Sequence, residues 1–218
     1  MSKKVTWSHS ALKDFEGCAR RYHEVKVLQK YPMQDTEQTR YGKQLHEAAE
    51  HYVKEGRELP PQFAFIKPTL DALLAKPGRK FAELEMALTE NLDPCAFNSP
   101  NRWVRGIADL VIIDDDNFTA RIVDYKTGND KYPDRDQLIL MSLMVFAHFP
   151  HIKRVQSALL FVVKNSMTKH EMTIEDVESA WWKVHGKYHP WIWYYSLKAL
   201  KCWADVAEAY AIGETKLF

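Results

Sequence analysis

Cysteine is scarce in this chain of 218 residues, which has three: Cys18, Cys95 and Cys202. They lie far apart and form no C-x-x-C pair. Closely spaced or numerous cysteines are what zinc fingers and disulfide-rich secreted domains require. We therefore expect a reduced, intracellular protein with neither a zinc finger nor a disulfide framework.

Long hydrophobic runs are also missing. The longest, near residues 159–163, is far below the roughly 20 apolar residues that span a bilayer. The N-terminus is charged and then polar, without the apolar segment of a secretory signal. We expect a protein that does not contact the membrane, in the cytoplasm of a bacterium or of a phage-infected host cell.

A net charge of one sign is the third absence. Lysine and arginine number 30 against 29 aspartate and glutamate residues, which leaves a formal charge of +1. Local patches of opposite sign can cancel in such a sum, so near-neutrality does not exclude nucleic acid as a partner. The hydrophobic fraction of 46% is typical of a globular protein.

The length predicts one domain over residues 1–218, in which three regions overlap or follow one another. They are an N-terminal helical region (about 7–56), a catalytic core (about 39–165) and a C-terminal helical region (about 173–211). Apolar periodicity predicts the elements within them. Helices are expected from Ser8 or Ser10 to about 25, over 39–54, over 134–149 and from Thr173 to about 184; strands are expected over 81–89, 102–113, 119–126, 155–164 and 168–172.

A carboxylate and an ammonium lie two residues apart at the end of the strand over 119–126. Residues at this spacing in a strand project to the same side, so Asp124 and Lys126 are expected side by side. Such a pair can bind a metal and steer a charged substrate. It can equally be a solvated ion pair of little consequence, which is the commoner case.

Other polar residues fall at particular places in the predicted elements. Asp109 lies inside an apolar strand, where an unpaired charge is costly and a divalent cation is a suitable partner. His46 lies on the helix over 39–54, one turn after Gly42, which removes bulk from the same face. Two carboxylates, an imidazole and the carbonyl oxygen of Tyr125 would form an oxygen-rich site, which favours Mg²⁺ or Mn²⁺ over zinc.

Two patterns imitate metal sites. His46-Glu47-Ala48-Ala49-Glu50-His51 has one residue more than the zinc-protease motif H-E-x-x-H, so its histidines diverge by roughly 140° around a helix and cannot share an ion. The acidic run at residues 114–117 lies between two strands and is interpreted as hairpin-turn chemistry.

Five motifs in sequence resemble those of the PD-(D/E)XK nuclease superfamily, in its branch of RecB/AddB-like and CRISPR-adaptation-type exonucleases. The opening Ser8-x-Ser10-x-Leu12-x-x-Phe15-x-x-Cys18-x-Arg20-Arg21-Tyr22 is similar to the N-terminal helix of that branch. The motifs are Gly42-x-x-x-His46, Glu85, Gly106-Ile107-Ala108-Asp109, Asp124-Tyr125-Lys126-Thr127-Gly128 and Gln137.

The resemblance implies an α/β restriction-endonuclease-like core: a helix, a three-stranded antiparallel meander, a helix and a strand, with added terminal helices. It also implies a DNA exonuclease that depends on Mg²⁺ or Mn²⁺. The implied roles are metal ligation by His46, Asp109, Asp124 and the Tyr125 carbonyl, catalysis by Lys126 with Asp124, assistance by Glu85 and Gln137, and DNA phosphate contacts by Arg20 and Arg21.

Three features depart from the family's pattern. Many relatives hold an iron–sulfur cluster through one N-terminal and three C-terminal cysteines, whereas here only Cys18 and Cys202 match, so we expect no cluster. The family's tyrosine four residues after the glutamine is Met141 here. The chain has no helicase motif, so any unwinding of DNA must come from a partner. The implied substrate is linear DNA, single- or double-stranded, and the partner could be a helicase or a single-strand annealing protein.

Other interpretations remain open on sequence alone. The chain could be a DNA-binding accessory protein of recombination with a vestigial metal site, or a metal-dependent hydrolase of another substrate. Arg20 and Arg21 could be a solvated helix face. The aromatic residues around 191–203 could stack on single-stranded bases, although packing on the sheet is the commoner use.

Overall fold

The computed structural model describes residues 6–31 and 35–181. Its contacts divide the chain into two compact units, one containing residues 6–9 and 35–180 and the other containing the described residues 10–31. The single domain expected over 1–218 stays a prediction. Most of the predicted C-terminal helical region, with Cys202 and the aromatic residues around 191–203, lies outside the described residues.

The N-terminal helix is present but is broken in two. Helix α1 covers His9–Gly17 and α2 covers Ala19–Tyr22, followed by a π-helical turn at His23–Val27. Cys18 between them has extended backbone, and its Sγ accepts a hydrogen bond from the Arg21 amide at 3.4 Å. The cysteine therefore acts as an N-cap, which an apolar periodicity running through residue 18 cannot reveal.

The long helix that carries His46 is α3, Glu37–Glu55. It begins after Thr36, whose hydroxyl accepts a hydrogen bond from the Thr39 amide at 3.2 Å, and ends at Gly56 in the left-handed conformation. Both are ordinary capping arrangements. A 3₁₀ segment at Pro61–Ile66 and helix α4, Lys67–Leu74, follow and lead into the sheet.

A six-stranded sheet forms the centre of the larger unit, in the order β2-β1-β3-β4-β5-β6. All neighbours are antiparallel except β4 and β5, which are parallel and are connected through α5, Arg135–His148. This arrangement confirms the predicted core of meander, helix and strand. The strands are β1 Arg79–Leu88, β2 Pro94–Cys95, β3 Val104–Asp114, β4 Thr119–Lys126, β5 Arg154–Phe161 and β6 Ser166–Thr173.

Helices α3 and α5 pack against the central strands of the sheet. Leu45 and Ala49 of α3 are buried in one cluster with Leu110, Val123 and Tyr125 of β3 and β4. Helix α5 is buried along most of its length. A Cβ atom at Gly106 would lie 2.4 Å from the terminal carbon of Met141, so the glycine lets this methionine reach β3.

The short structures after β6 and between β3 and β4 also agree with the sequence. Thr173 and Asp176 form a capping box, which opens the predicted last helix with a 3₁₀ turn at Ile174–Asp176. Residues 115–118 form the hairpin turn, in which the Asn117 amide donates to Asp114. The interpretation of the acidic run as turn chemistry is therefore supported.

Candidate active site

The predicted pair at the end of β4 is present and has a third member. Lys126 Nζ lies 2.6 Å from Asp124 Oδ2 and donates to Gln137 Oε1 at 3.0 Å. Gln137 Nε2 in turn donates to Asp124 Oδ1 at 2.5 Å. The amide of the first turn of α5 thus binds both charged groups and fixes their positions relative to each other.

Asp109 connects α3, β3 and β4. Its Oδ1 lies 3.2 Å from His46 Nδ1, and its Oδ2 accepts a hydrogen bond from the Tyr125 amide at 2.6 Å. The last β3–β4 register pair is Leu110 with Val123, so Asp109 and Asp124 lie at the next position along the two strands. Two buried carboxylates are therefore neighbours where the ladder ends.

Glu83, rather than Glu85, approaches His46 and Asp109. His46, Glu83 and Asp109 each offer a ligand atom, and these atoms all lie within 4.8 Å of one another. In the β1–β3 register, Glu83 falls opposite Asp109, between the pairs Ala82–Leu110 and Leu84–Ala108. Glu85, the sequence-based choice, is exposed two residues further on.

The backbone at Glu83 explains why strand alternation could not rank the two glutamates. Glu83 has a φ of +50°, a left-handed conformation that is uncommon for a residue with a side chain. It is the one position between Arg79 and Leu88 that is left out of the β1–β3 pairs, although the register is the same on both sides of it. The direction of its side chain therefore does not follow from regular alternation along the strand. No composition signal marks such a residue in the sequence.

The carboxylates of this site repel one another. Burial, followed by the charge of Asp109, raises the pKa of Glu83 to about 7. Burial and Asp109 also raise the pKa of Asp124 to about 6, although Lys126 acts in the opposite direction. Burial lowers the pKa of His46, but the bond to Asp109 and the charges of Asp109, Asp124 and Glu83 leave it raised.

Tyr125 and Gly42 hold α3 against the end of β4. The Tyr125 side chain is buried in the cluster beneath α3, and burial raises the pKa of its hydroxyl, with smaller contributions from Asp109 and Glu83. A Cβ atom at Gly42 would lie 3.3 Å from Thr127 Oγ1. The glycine therefore permits a close approach one turn before His46, as its position in the motif predicted.

The remaining predicted residues lie elsewhere. His51 faces Glu55 at 3.0 Å, away from the partner of His46, which agrees with the rejected zinc motif. Arg20 and Arg21 are exposed on α2 in the smaller unit, and Arg20 lies 3.3 Å from Glu24. Their contact with DNA stays a prediction.

Solved structures similar to this chain include two with low sequence identity. A solved structure, the "Putative exonuclease" of Eubacterium rectale, has a TM-score of 0.51 at 15% identity over 90% of this chain and 83% of its own. Another, SSO0001, has a TM-score of 0.28 at 11% identity over 83% and 86%. No curated protein matches. Among residues 6–31 and 35–181, no helix is long and apolar enough to cross a membrane.

A family model gives the assignment. It describes the PD-(D/E)XK nuclease superfamily and matches residues 6–208, which is most of the chain and includes every polar residue of the site. The fold has the meander, helix and strand that the sequence resemblance implied. The chain therefore belongs to the PD-(D/E)XK superfamily of nucleases, which use divalent metal ions.

Proposed function

We propose that this protein is a divalent-metal-dependent DNA exonuclease of recombination, repair or phage DNA processing. The observation that carries the proposal is the convergence of Glu83, Asp109 and Asp124 beside a histidine and a lysine. Like charges placed together in a partly buried site require a cation or protons. A metal-dependent nuclease needs such a cation at the phosphodiester bond that it cleaves.

The donor set fits Mg²⁺ or Mn²⁺. Carboxylate oxygens, one imidazole nitrogen and a backbone carbonyl are hard or borderline ligands of the kind these ions take. We assign His46, Asp109, Asp124 and the carbonyl of Tyr125 as ligands, as the motifs implied. We add Glu83 because its carboxylate, and not that of Glu85, lies among the ligand atoms of His46 and Asp109.

A bound divalent cation supplies a Lewis acid that polarises a phosphoryl oxygen and lowers the pKa of water. The chain's own contribution begins with Lys126, whose ammonium lies beside the Asp124 carboxylate and whose side chain is one-third exposed. In this position it can donate hydrogen bonds to a phosphate oxygen and stabilise the charge that develops during hydrolysis.

Gln137 is proposed as a positioning residue. It accepts a hydrogen bond from Lys126 and donates one to Asp124, so neither charged side chain can rotate without breaking a bond. Fixed donors and acceptors are more effective in catalysis than mobile ones because their reorganisation has occurred before the reaction.

Action on DNA ends is proposed from the motif pattern of the RecB/AddB-like and CRISPR-adaptation-type branch. The protein from Eubacterium rectale is also called an exonuclease, although the likeness to it concerns the fold alone. Arg20 and Arg21 are proposed to contact phosphates. A helicase, which would supply unwinding, or a single-strand annealing protein is the proposed partner. We propose that no iron–sulfur cluster is present, since Cys202 is the only cysteine after residue 95.

The test is to incubate the protein with end-labelled linear DNA and with closed circular DNA of the same sequence. With Mg²⁺ or Mn²⁺ we expect progressive loss of the linear substrate, no loss of the circle, and no reaction in a chelator. Lys126→Ala should fold and bind DNA but not cleave it.

Each other outcome has a definite meaning. Cutting of the circle would make the protein an endonuclease. DNA binding without cleavage by the wild type, under any divalent ion, would favour the accessory protein with a vestigial metal site.

A further inference from the structure

The segment that leaves the site after Lys126 returns to it at Gln137. These two side chains are 3.0 Å apart, so both ends of the connection between β4 and α5 lie at the same place. The connection, residues 127–134, is here called the site loop. Tyr132 lies in it, six residues after Lys126 and five before Gln137.

Tyr132 is the most exposed of the large hydrophobic side chains in the described part of the chain. Its relative exposure is 82%, compared with 59% for Tyr31, the next. Exposed single hydrophobic residues are common and need no function. An aromatic ring displayed this fully on a loop anchored at a nuclease site is a different case, because aromatic rings are stacking platforms for bases.

The site loop is held in place on both sides of the tyrosine. The Ser166 hydroxyl donates to Asp130 Oδ2 at 2.7 Å, and the Lys131 amide donates to Asn129 Oδ1 at 2.9 Å. At the other end, Asp134 accepts a hydrogen bond from the Asp136 amide and caps α5. Little additional ordering of the backbone is therefore needed when a ligand contacts Tyr132.

One lysine lies against the ring, and a second lies near the site loop. Lys131 Nζ lies 5.4 Å from the centre of the Tyr132 ring. The bond from Ser166 is the main cause that lowers the pKa of the Asp130 carboxyl, and Lys164, exposed on the β5–β6 turn, makes a smaller contribution in the same direction. Asp130 and Asp134, the acids of the site loop, are occupied with Ser166 and with the cap of α5.

The sheet brings the β5–β6 turn to the same edge as the site. Because β4 and β5 are parallel, Lys126 pairs with Phe161 at their shared carboxyl ends, and the Val162 amide donates to the Lys126 carbonyl at 3.0 Å. Lys164 therefore lies three residues after Phe161, the β5 partner of Lys126. An exposed aromatic ring with one lysine against it and another on the adjoining turn, beside a phosphodiester-cleaving site, matches a nucleic-acid strand that enters the site.

We propose that Tyr132 stacks on a base near the end of the DNA, while Lys131 and Lys164 contact the adjoining phosphates. This rests on the proposed function, since it assigns the substrate contact beside the same site. From Lys126 to Tyr132 the chain can extend by at most about 20 Å, so the contacted base lies within a few nucleotides of the cleaved bond. The tyrosine is a substrate-binding residue.

The test is a double-mutant cycle between the tyrosine and a DNA base. DNA affinity is measured in the Lys126→Ala background, so that the DNA is not cleaved during the measurement. The ligands are linear DNAs in which an abasic site replaces each of the last several bases in turn. Tyr132→Ala should weaken binding of intact DNA by about tenfold. At one abasic position the same substitution should have no further effect, because the base it would contact is gone.

Matched variants separate stacking from other roles. Tyr132→Phe keeps the ring and should bind as the wild type does. Phe118→Ala removes another exposed aromatic side chain, at the opposite end of β4, and should not change affinity. If Tyr132→Ala binds intact DNA normally, or if its effect is the same at every abasic position, the stacking proposal is wrong.

The two proposals fail in distinguishable ways. Cleavage of linear DNA by the wild type together with an additive cycle would remove the stacking role and leave the nuclease intact. A wild type that neither binds nor cleaves DNA would remove the proposed function, and the stacking role with it.

Discussion

Two clusters at opposite ends of β4 contain similar residue types but differ in their exposure to solvent and in their balance of acidic and basic groups. The turn cluster, before β4, consists of Asp115, Arg79 and His151, with contacts of 2.8–3.0 Å. The site cluster, at the end of β4, consists of Glu83, Asp109, Asp124, His46 and Lys126. Each includes an aspartate near a histidine and an aspartate near a basic side chain.

Exposure and charge balance separate the clusters. The Asp115 side chain is 45% exposed, and its bonds to Arg79 and His151 hold its pKa below the ordinary value. The Asp124 side chain is 8% exposed, and burial with Asp109 raises its pKa to about 6. In the turn cluster one acid faces two basic groups, whereas in the site cluster three acids share a lysine and a histidine.

The difference shows why residue types alone do not identify a site. An exposed, balanced cluster is satisfied by its own members and by water, and contributes little. A buried cluster with excess carboxylates is incomplete without a cation. The following predictions use the turn cluster as an internal control for the site cluster.

The largest expected effect is on nuclease activity. Lys126→Ala and Asp124→Ala should each reduce the cleavage rate of linear DNA by at least about 10²-fold, because the proposed roles are phosphate contact for the lysine and metal ligation for the aspartate. Asp115→Ala, which disrupts the turn cluster, should cleave at the wild-type rate. Equal rates for all four proteins in a time course would place the active site elsewhere.

Metal binding should stabilise the site cluster only. Saturating Mn²⁺ should raise the melting temperature of the wild type by about 5 to 10 °C, the shift for a ligand near 100 times its Kd in a chain of this size. Asp109→Ala should abolish the shift, and Asp115→Ala should retain it. Thermal melts with Mn²⁺ and with a chelator measure both; a shift retained by Asp109→Ala contradicts the ligand assignment.

Glu83 and Glu85 are the next comparison, within one strand. Glu83→Gln should lower activity by roughly 10- to 100-fold, the range for groups that ligate or orient a metal. Glu85→Gln should lower it little, since that side chain is exposed. Activities measured over a range of Mn²⁺ concentrations would decide between the glutamates. A larger loss of activity in Glu85→Gln than in Glu83→Gln would support the sequence-based assignment of Glu85.

The smallest effect is expected from Arg79→Ala. It removes the guanidinium from the turn cluster, where both partners are exposed to solvent, and exposed ion pairs stabilise folding weakly. The melting temperature should change little and cleavage should not change. A marked loss of either would mean that the turn cluster has a role that its exposure does not suggest.

The order of elements was predictable because apolar periodicity and caps are local properties. Residues 119–126 were predicted as a strand and form β4, and Thr173 with Asp176 caps the last described helix. The break at Cys18 and the short β2 strand were missed. The first depends on a thiol acting as a cap, and the second is two residues whose pairing is set by the neighbouring strand.

The site was predictable in outline and not in detail. The motif order predicted that His46, Asp109, Asp124, Lys126 and Gln137 lie together. In the structure His46 contacts Asp109, Lys126 contacts Asp124 and Gln137, and the two aspartates follow the last β3–β4 pair. The choice between two glutamates in one strand required the left-handed backbone at Glu83. That conformation occurs at the one position of β1 left out of the β1–β3 pairs, and no local pattern in the sequence marks it.

The bond between the Tyr125 amide and Asp109 makes a proposed metal ligand part of the backbone pairing of the sheet. Just beyond the last β3–β4 pair, the Asp109 carboxylate accepts the amide hydrogen of Tyr125. Within the sheet a backbone carbonyl accepts such a hydrogen. The proposed metal ligation and the strand pairing thus depend on one carboxylate, which bonds the Tyr125 amide through Oδ2 and faces His46 through Oδ1. Hydrogen exchange at a single amide, that of Tyr125, should consequently report how firmly Asp109 is held in the resting enzyme.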